Sequence, residues 1–221
     1  MSATTSADTE RRRQIVNVLL PAMKDVCVGN PKFRDIDSGW KVGCGYTTCG
    51  GLPAHVARQL GVQAQVANDG LTIGGLLGMR NAAIKAGAWH HNGTALRNIG
   101  RGMGLEPKRP KPGDFYLLCS GDRHDTGCDC IGPEKPAEMY RYKGGAIEHV
   151  GVIVDSNGPV WKTMDAGQDG PTTQCVRLLS RNFDAATGFM TGERGREGKP
   201  MRRLCGWLDV DKYPFVKFPE A

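Results

Sequence analysis

The stretch Glu148-His149-Val150-Gly151-Val152-Ile153-Val154-Asp155-Ser156-Asn157-Gly158-Pro159-Val160-Trp161-Lys162-Thr163-Met164-Asp165 reads as two antiparallel strands joined by a turn. Alternation carries the reading. Val150, Val152 and Val154 share one face of the first strand, and His149, Gly151 and Ile153 share the other. Trp161, Thr163 and Asp165 share a face of the second strand. Ser156-Asn157-Gly158 supplies residues that suit a turn. A hairpin centred on Asn157 sets His149 directly opposite Asp165, with both side chains on the same face. A tight Asn-Gly turn would shift the pairing by one residue and send the two side chains to opposite faces. Gly151, next but one to His149, leaves that face open to a close approach.

Outward from this hairpin, Pro112-Gly113 opens a strand over 114–119, a third strand follows at 175–179, and 204–210 reads as a closing strand. Upstream the pattern is helical. Residues 11–28 form a helix broken at Pro21, and a further helix lies near 76–87. Over 49–60, Leu52, Val56 and Leu60 recur every fourth residue and Gly61 suits the C-terminal stop. Pro53 is tolerated in a first turn, which fixes that helix start between Cys49 and Leu52. Residues 29–48, 120–145 and 187–200 read as loops, and 1–10 as a disordered tail ahead of a single domain over 11–221. Helices followed by a meandering antiparallel sheet make an α+β fold, with the N-terminal helices packed on a central sheet.

Composition narrows the classes. Gly 31 and Pro 13 together are about a fifth of the 221 residues, against a usual share of roughly 12%. Helical bundles and coiled coils are excluded on that ground. No run of about 18 apolar residues occurs, so no membrane span is expected. The formal charge is +6, with basic clusters at 11–13, 108–111 and 194–203. Such an excess favours anionic surfaces, such as nucleic acid or a bacterial envelope. Aromatic–basic interleaving and finger spacing are lacking, which argues against nucleic acid. Glu10-Arg11-Arg12-Arg13 precedes a short apolar run that Asn17 interrupts, so no cleavable secretory signal is read. The expectation is a chain made in the cytoplasm and carried out by another route.

The eight cysteines are too dilute for a disulfide scaffold. Cys44 and Cys49, and Cys128 and Cys130, do not have the C-x-x-C spacing of zinc or redox sites. Cys119, His124, Cys128 and Cys130 offer four soft ligands within one loop, but a disulfide or free thiols are the preferred reading there. No metal or cofactor is expected.

The chemistry-bearing segment is Thr47-Thr48-Cys49-Gly50-Gly51-Leu52-Pro53. A cysteine in the first helical turn, after a threonine able to cap, feels the positive end of the macrodipole and unpaired amides. Both favour the thiolate. Gly50 and Gly51 let a substrate backbone come close, and the same amides suit a developing oxyanion. A nucleophilic thiolate requires an imidazole within reach, for which His149 stands ready, with Asp165 to fix its tautomer. Cys44 lies between glycines with no helix to activate it, His55 reads as a packing residue inside the helix, and Asp114 as a turn anchor. Trp89-His90-His91 forms a polar-aromatic cluster read as a loop, with Trp89 a candidate to line a cleft.

A helix-start cysteine, then Pro112-Gly113-Asp114-Phe115-Tyr116, then His149-Val150-Gly151-Val152-Ile153-Val154, then a polar residue on the next strand resembles the papain-like cysteine amidases of bacteria. The nearest pattern is the cysteine, histidine-dependent amidohydrolase/peptidase group, which cuts peptidoglycan stem peptides. The likeness spans roughly residues 40–180. It implies a papain-like fold, with Cys49 as nucleophile, His149 as general base and Asp165 as orienting residue. Gln168 is the alternative polar member. Thr48 and Gly50 flank the nucleophile where many relatives have other residues, and Tyr46 is a candidate to add a hydroxyl to the oxyanion site. The implied function is a cell-wall amidase or endopeptidase, with a peptidoglycan peptide as partner. A toxin role with a cognate immunity protein, delivered to a target cell's periplasm, follows by analogy. A deamidase or protease acting on a host protein, and a non-enzymatic metal- or nucleic-acid-binding module, are the alternatives.

Overall fold

The computed structural model describes residues 6–27, 29–32, 48–61, 80, 83–84, 86–91, 109–119, 147–168, 174–184, 190–191 and 202–213. Helix α1 spans Ser6–Gln14 and continues through a π-helical turn, Ile15–Leu19, into α2, Leu20–Met23. Helix α3 spans Thr48–Gln59. The strands are β1 Trp89–His91, β2 Phe115–Cys119, β3 Ile147–Asp155, β4 Val160–Gln168, β5 Cys175–Phe183, β6 Met190–Thr191 and β7 Arg203–Leu208. They form one antiparallel sheet in the order β1-β7-β2-β3-β4-β5-β6. The architecture is α+β.

Alternation sorts the sheet into two faces. Phe115, Leu117, Val150, Val152, Met164, Ala166 and Val176 share an apolar core with the helices, including Leu52, Val56 and Ala57 of α3 and Ile15 and Leu20 of the N-terminal helices. The opposite face carries a second cluster built on Tyr116, Leu118, Ile153, Trp161 and Trp207. Helix α3 lies over β3 and β4, so its first turn and the paired strands are held by one core.

Several expectations shift. The first helix begins at Ser6, inside the segment read as a disordered tail. Thr48 is itself the first residue of α3 rather than a cap outside it, and Pro53 therefore lies within the helix instead of its first turn. The missing Pro53 N–H would have served the Cys49 carbonyl. Burial of the whole segment from Cys49 to Ala57 outweighs the loss. Trp89-His90-His91 is an edge strand, not a loop, and pairs with β7. Of the helix read near 76–87, Arg80, Ala83 and Ile84 are described and helical; Gly87 ends it at φ 65°.

The first basic cluster faces inward as well as outward. Arg12 reaches Asp114 and Asp209 at 2.9 Å each and Asp211 at 2.7 Å. This ties α1 to the start of β2 and the end of β7. Asp114 also accepts from the Lys111 amide at 2.7 Å, which makes it the turn anchor the sequence suggests. Cys27 and Cys175 form a disulfide beside a backbone pairing of Val26 with Val176, so the N-terminal segment is stitched to β5.

Candidate active site

Three elements supply the site. Cys49 lies in the first turn of α3, where the leading amides have no intrahelical partner. It is outside any disulfide and is a buried member of the core, with 9% of the residue's surface exposed. His149 comes from β3 and Asp165 from β4. His149 Nε2 lies 2.5 Å from Asp165 Oδ1. A second hydrogen bond joins His149 to Cys49. With Nε2 engaged by the carboxylate, Nδ1 is the nitrogen left for sulfur. Cysteine, imidazole and carboxylate thus form a continuous chain.

The pairing that achieves this differs from the expected one. Val152 opposes Met164 and Ile153 opposes Thr163. Carried back along the strands, this register sets Gly151, not His149, against Asp165. The slip is by two residues, so face is preserved, and His149 meets Asp165 on the diagonal. On the turn side Asp155 opposes Lys162, three residues from the expected register, and the irregularity between Ile153 and Asp155 brings the pairing back by one. A second one precedes His149 on β3, where Leu118 pairs with His149 but Cys119 with Ile147. Such bulges re-aim neighbouring side chains.

Gly151 has a neighbour on each side: Tyr116 opposes it on β2 and Asp165 faces it on β4. The Tyr116 hydroxyl crosses over the glycine and donates to Asp165 Oδ1 at 2.5 Å. The face left open at position 151 is therefore filled from within the fold, by Asp165 and Tyr116. Asp165 Oδ2 accepts from the Thr163 hydroxyl at 2.5 Å. Arg181, on β5, places Nη2 3.1 Å from Asp165 Oδ1. Tyr116, Thr163 and Arg181 had no assigned role in the sequence reading. Only the shared face of Thr163 with Asp165 hinted at one of them.

The electrostatics follow from these contacts. Burial opposes a charged imidazole, but the hydrogen bonds and negative charges of Asp165 and Cys49 outweigh it and push His149 up to about 9. Burial likewise opposes an ionised Asp165. The Arg181 charge, with hydrogen bonds from His149 and Thr163, overrides that and holds the carboxyl well below the usual range. Desolvation and the adjacent carboxylate keep the Tyr116 hydroxyl protonated and donating. The arrangement suits a thiolate–imidazolium pair backed by a fixed carboxylate, equipped for nucleophilic attack and proton transfer.

The remaining candidates fall as follows. Gly50 is buried beside Cys49. The backbones of Thr48 and Gln168 lie at the start of α3 and the end of β4. Tyr46, Cys44, His124, Cys128 and Cys130 lie outside the described residues. Trp89 sits on the edge strand, with β7 and β2 between it and β3, and its ring covers Gly206. Sheet order thus places its strand apart from those of His149 and Asp165. His55 is buried in α3, and Cys119 is buried on β2 outside any disulfide. Among the described residues no cluster of three or more metal-ligating side chains occurs, and no helix is long and apolar enough to cross a membrane.

No family model, curated protein or solved structure matches this chain.

Proposed function

We propose that the protein is a papain-like cysteine hydrolase that cleaves amide bonds in peptidoglycan stem peptides. The observation that carries the hydrolase reading is the hydrogen-bonded chain from Cys49 through His149 to Asp165. Cys49 Sγ attacks the amide carbonyl, and the oxyanion forms beside the leading amides of the α3 first turn. The His149 imidazolium protonates the departing amine, leaving a thioester on Cys49. His149, now neutral, takes a proton from water as it attacks the thioester, and the acid product leaves. Asp165 holds the ring in the tautomer that both steps need.

The cell-wall substrate rests on the resemblance to bacterial amidases and on the net charge of +6, which suits an anionic envelope. The Cys27–Cys175 disulfide fits work in an oxidising compartment such as the periplasm. A toxin countered by an immunity protein is the biological setting this reading favours. Purified peptidoglycan is incubated with the protein and with Cys49→Ala, and the fragments are analysed by mass spectrometry. New amine and carboxyl ends with the wild type alone support the reading; their absence removes the cell-wall substrate.

A further inference from the structure

We propose that Arg181 is a positioning residue, which locks Asp165 through a closed hydrogen-bond ring and thereby sets the protonation of the Cys49–His149 pair. The inference rests on the cysteine-hydrolase reading and deepens it.

The ring runs through one guanidinium. Arg181 Nη2 donates to Asp165 Oδ1 at 3.1 Å. Arg181 Nε donates to Thr163 Oγ1 at 3.2 Å. The Thr163 hydroxyl, having accepted that bond, passes its own proton to Asp165 Oδ2 at 2.5 Å. The guanidinium thus holds Oδ1 directly and Oδ2 through the Thr163 hydroxyl. The Tyr116 ring lies beneath the guanidinium, 5.8 Å from its carbon, and Tyr116 and His149 complete the donor set at Oδ1.

Charge makes the ring necessary. Asp165 and Arg181 are 0% and 1% exposed. A carboxylate at that depth without a counter-charge would protonate or destabilise the fold. Arg181 neutralises it permanently. The Cys49–His149 pair then passes between its neutral and ionised forms without changing the net charge of the buried cluster. If His149 were the sole counter-ion, Asp165 would be balanced only while the imidazole was charged, and the carboxylate would be stranded whenever the ring gave up its proton during the reaction.

Removing a fixed positive charge raises the pKa of every neighbouring acid. The pH at which the Cys49 thiolate forms must therefore rise when Arg181 is lost. The test is the pH dependence of Cys49 alkylation by iodoacetamide, followed by peptide mapping on the full chain, with folding checked by circular dichroism. For Arg181→Met, the acid limb moves up by about one pH unit, a roughly tenfold slower rate at a pH on the wild-type limb. Arg181→Lys keeps the charge and the fold, but one ammonium does not span Asp165 and Thr163 together. Its limb moves in the same direction by less, about threefold in rate. A role confined to stability would lower the melting temperature and leave both limbs in place. A limb coincident with the wild type in either folded variant overturns the proposal, and Arg181→Lys decides if Arg181→Met does not fold. A wild-type Cys49 whose reactivity rises only through the ordinary thiol range, about pH 8.5, overturns the hydrolase reading itself.

Discussion

Gly151 and Asp165 face each other across β3 and β4, and a Cβ placed on Gly151 falls 2.5 Å from Asp165 Oδ1 and 2.7 Å from Tyr116 Cε1. Neither neighbour is free to yield, since both are fully buried and hydrogen-bonded to each other. The missing side chain is what allows the Tyr116 hydroxyl to cross the strand and His149 to meet Asp165 on the diagonal. Gly151→Ala is expected to lower stability by about 1–3 kcal/mol and to slow Cys49 alkylation at neutral pH. Thermal denaturation and peptide mapping read the two effects. An alanine variant with unchanged melting and unchanged thiol reactivity would show that the gap is dispensable.

Asp165→Asn removes the charge and leaves a carboxamide that can present the wrong group to His149 Nε2. On the precedent of triads in general, turnover should fall by roughly 10²–10⁴-fold. The same substitution removes the carboxylate charge 3.1 Å from the buried Arg181 guanidinium, at a cost of about 3–5 kcal/mol. Denaturant unfolding measures the second effect separately from the first. Wild-type stability in this variant would mean that Arg181 finds another buried partner.

The raised His149 carries a pH signature. Its folded value of about 9 lies above the ordinary 6.5, so the charged form binds its proton more tightly in the native state. The resulting stability is complete below about pH 6.5 and is lost as pH rises through about 9. Asp114, pushed by burial up to about 6, has the same sign. Its window lies lower, from about 3.8 to 6. Between about 6.5 and 8.5 the proton that folding adds to His149 is the one it removes from the Cys49 thiol, so this pair leaves wild-type stability level there. Cys49→Ala removes that offset, so its stability should decline as pH rises above about 6.5, and His149→Gln in that background should flatten the decline. Turnover should fall near pH 9 as the imidazolium proton donor disappears.

Cys27 and Cys175 close a separation of 148 residues. A cross-link over so long a loop contributes about 2–5 kcal/mol. The double variant Cys27→Ser/Cys175→Ser is expected to melt lower than the wild type, while Cys49 remains the reactive thiol. The double variant is preferred to reductant, because Cys205 is disulfide-bonded as well. Equal melting temperatures would show that the ion pair of Arg177 with Asp25 and the Val26–Val176 pairing suffice to hold the N-terminal segment.

The strands and their faces were legible because side-chain alternation survives local irregularity. A slip of two residues moved Asp165 from His149 to Gly151 and left both side chains on the predicted face. The slip itself was not legible, since it combines a turn longer than the one centred on Asn157 with a one-residue irregularity near Val154. The helix carrying Cys49 was also readable, from the recurrence of Leu52, Val56 and Leu60 and from Gly61, whereas Pro53, taken to mark its first turn, lies inside it. Arg181 and Tyr116 were hidden for another reason. They enter from β5 and β2, and no local pattern in either strand names Asp165 as their partner. Arg12 looked like part of a solvated basic cluster because its three carboxylates lie far along the chain. Trp89-His90-His91 looked like a loop because its pairing strand, β7, comes near the end of the sequence. The disulfide was unreadable, since cysteine spacing alone does not fix connectivity.

The central claim is that Cys49 is a thiolate because His149 holds its proton. Iodoacetamide labelling at pH 6, mapped by peptide mass, tests it in the wild type and in His149→Ala. Rapid modification at Cys49, slowed at least tenfold in His149→Ala, is the predicted result. Equal rates in the two proteins, or labelling at another thiol in place of Cys49, would contradict it.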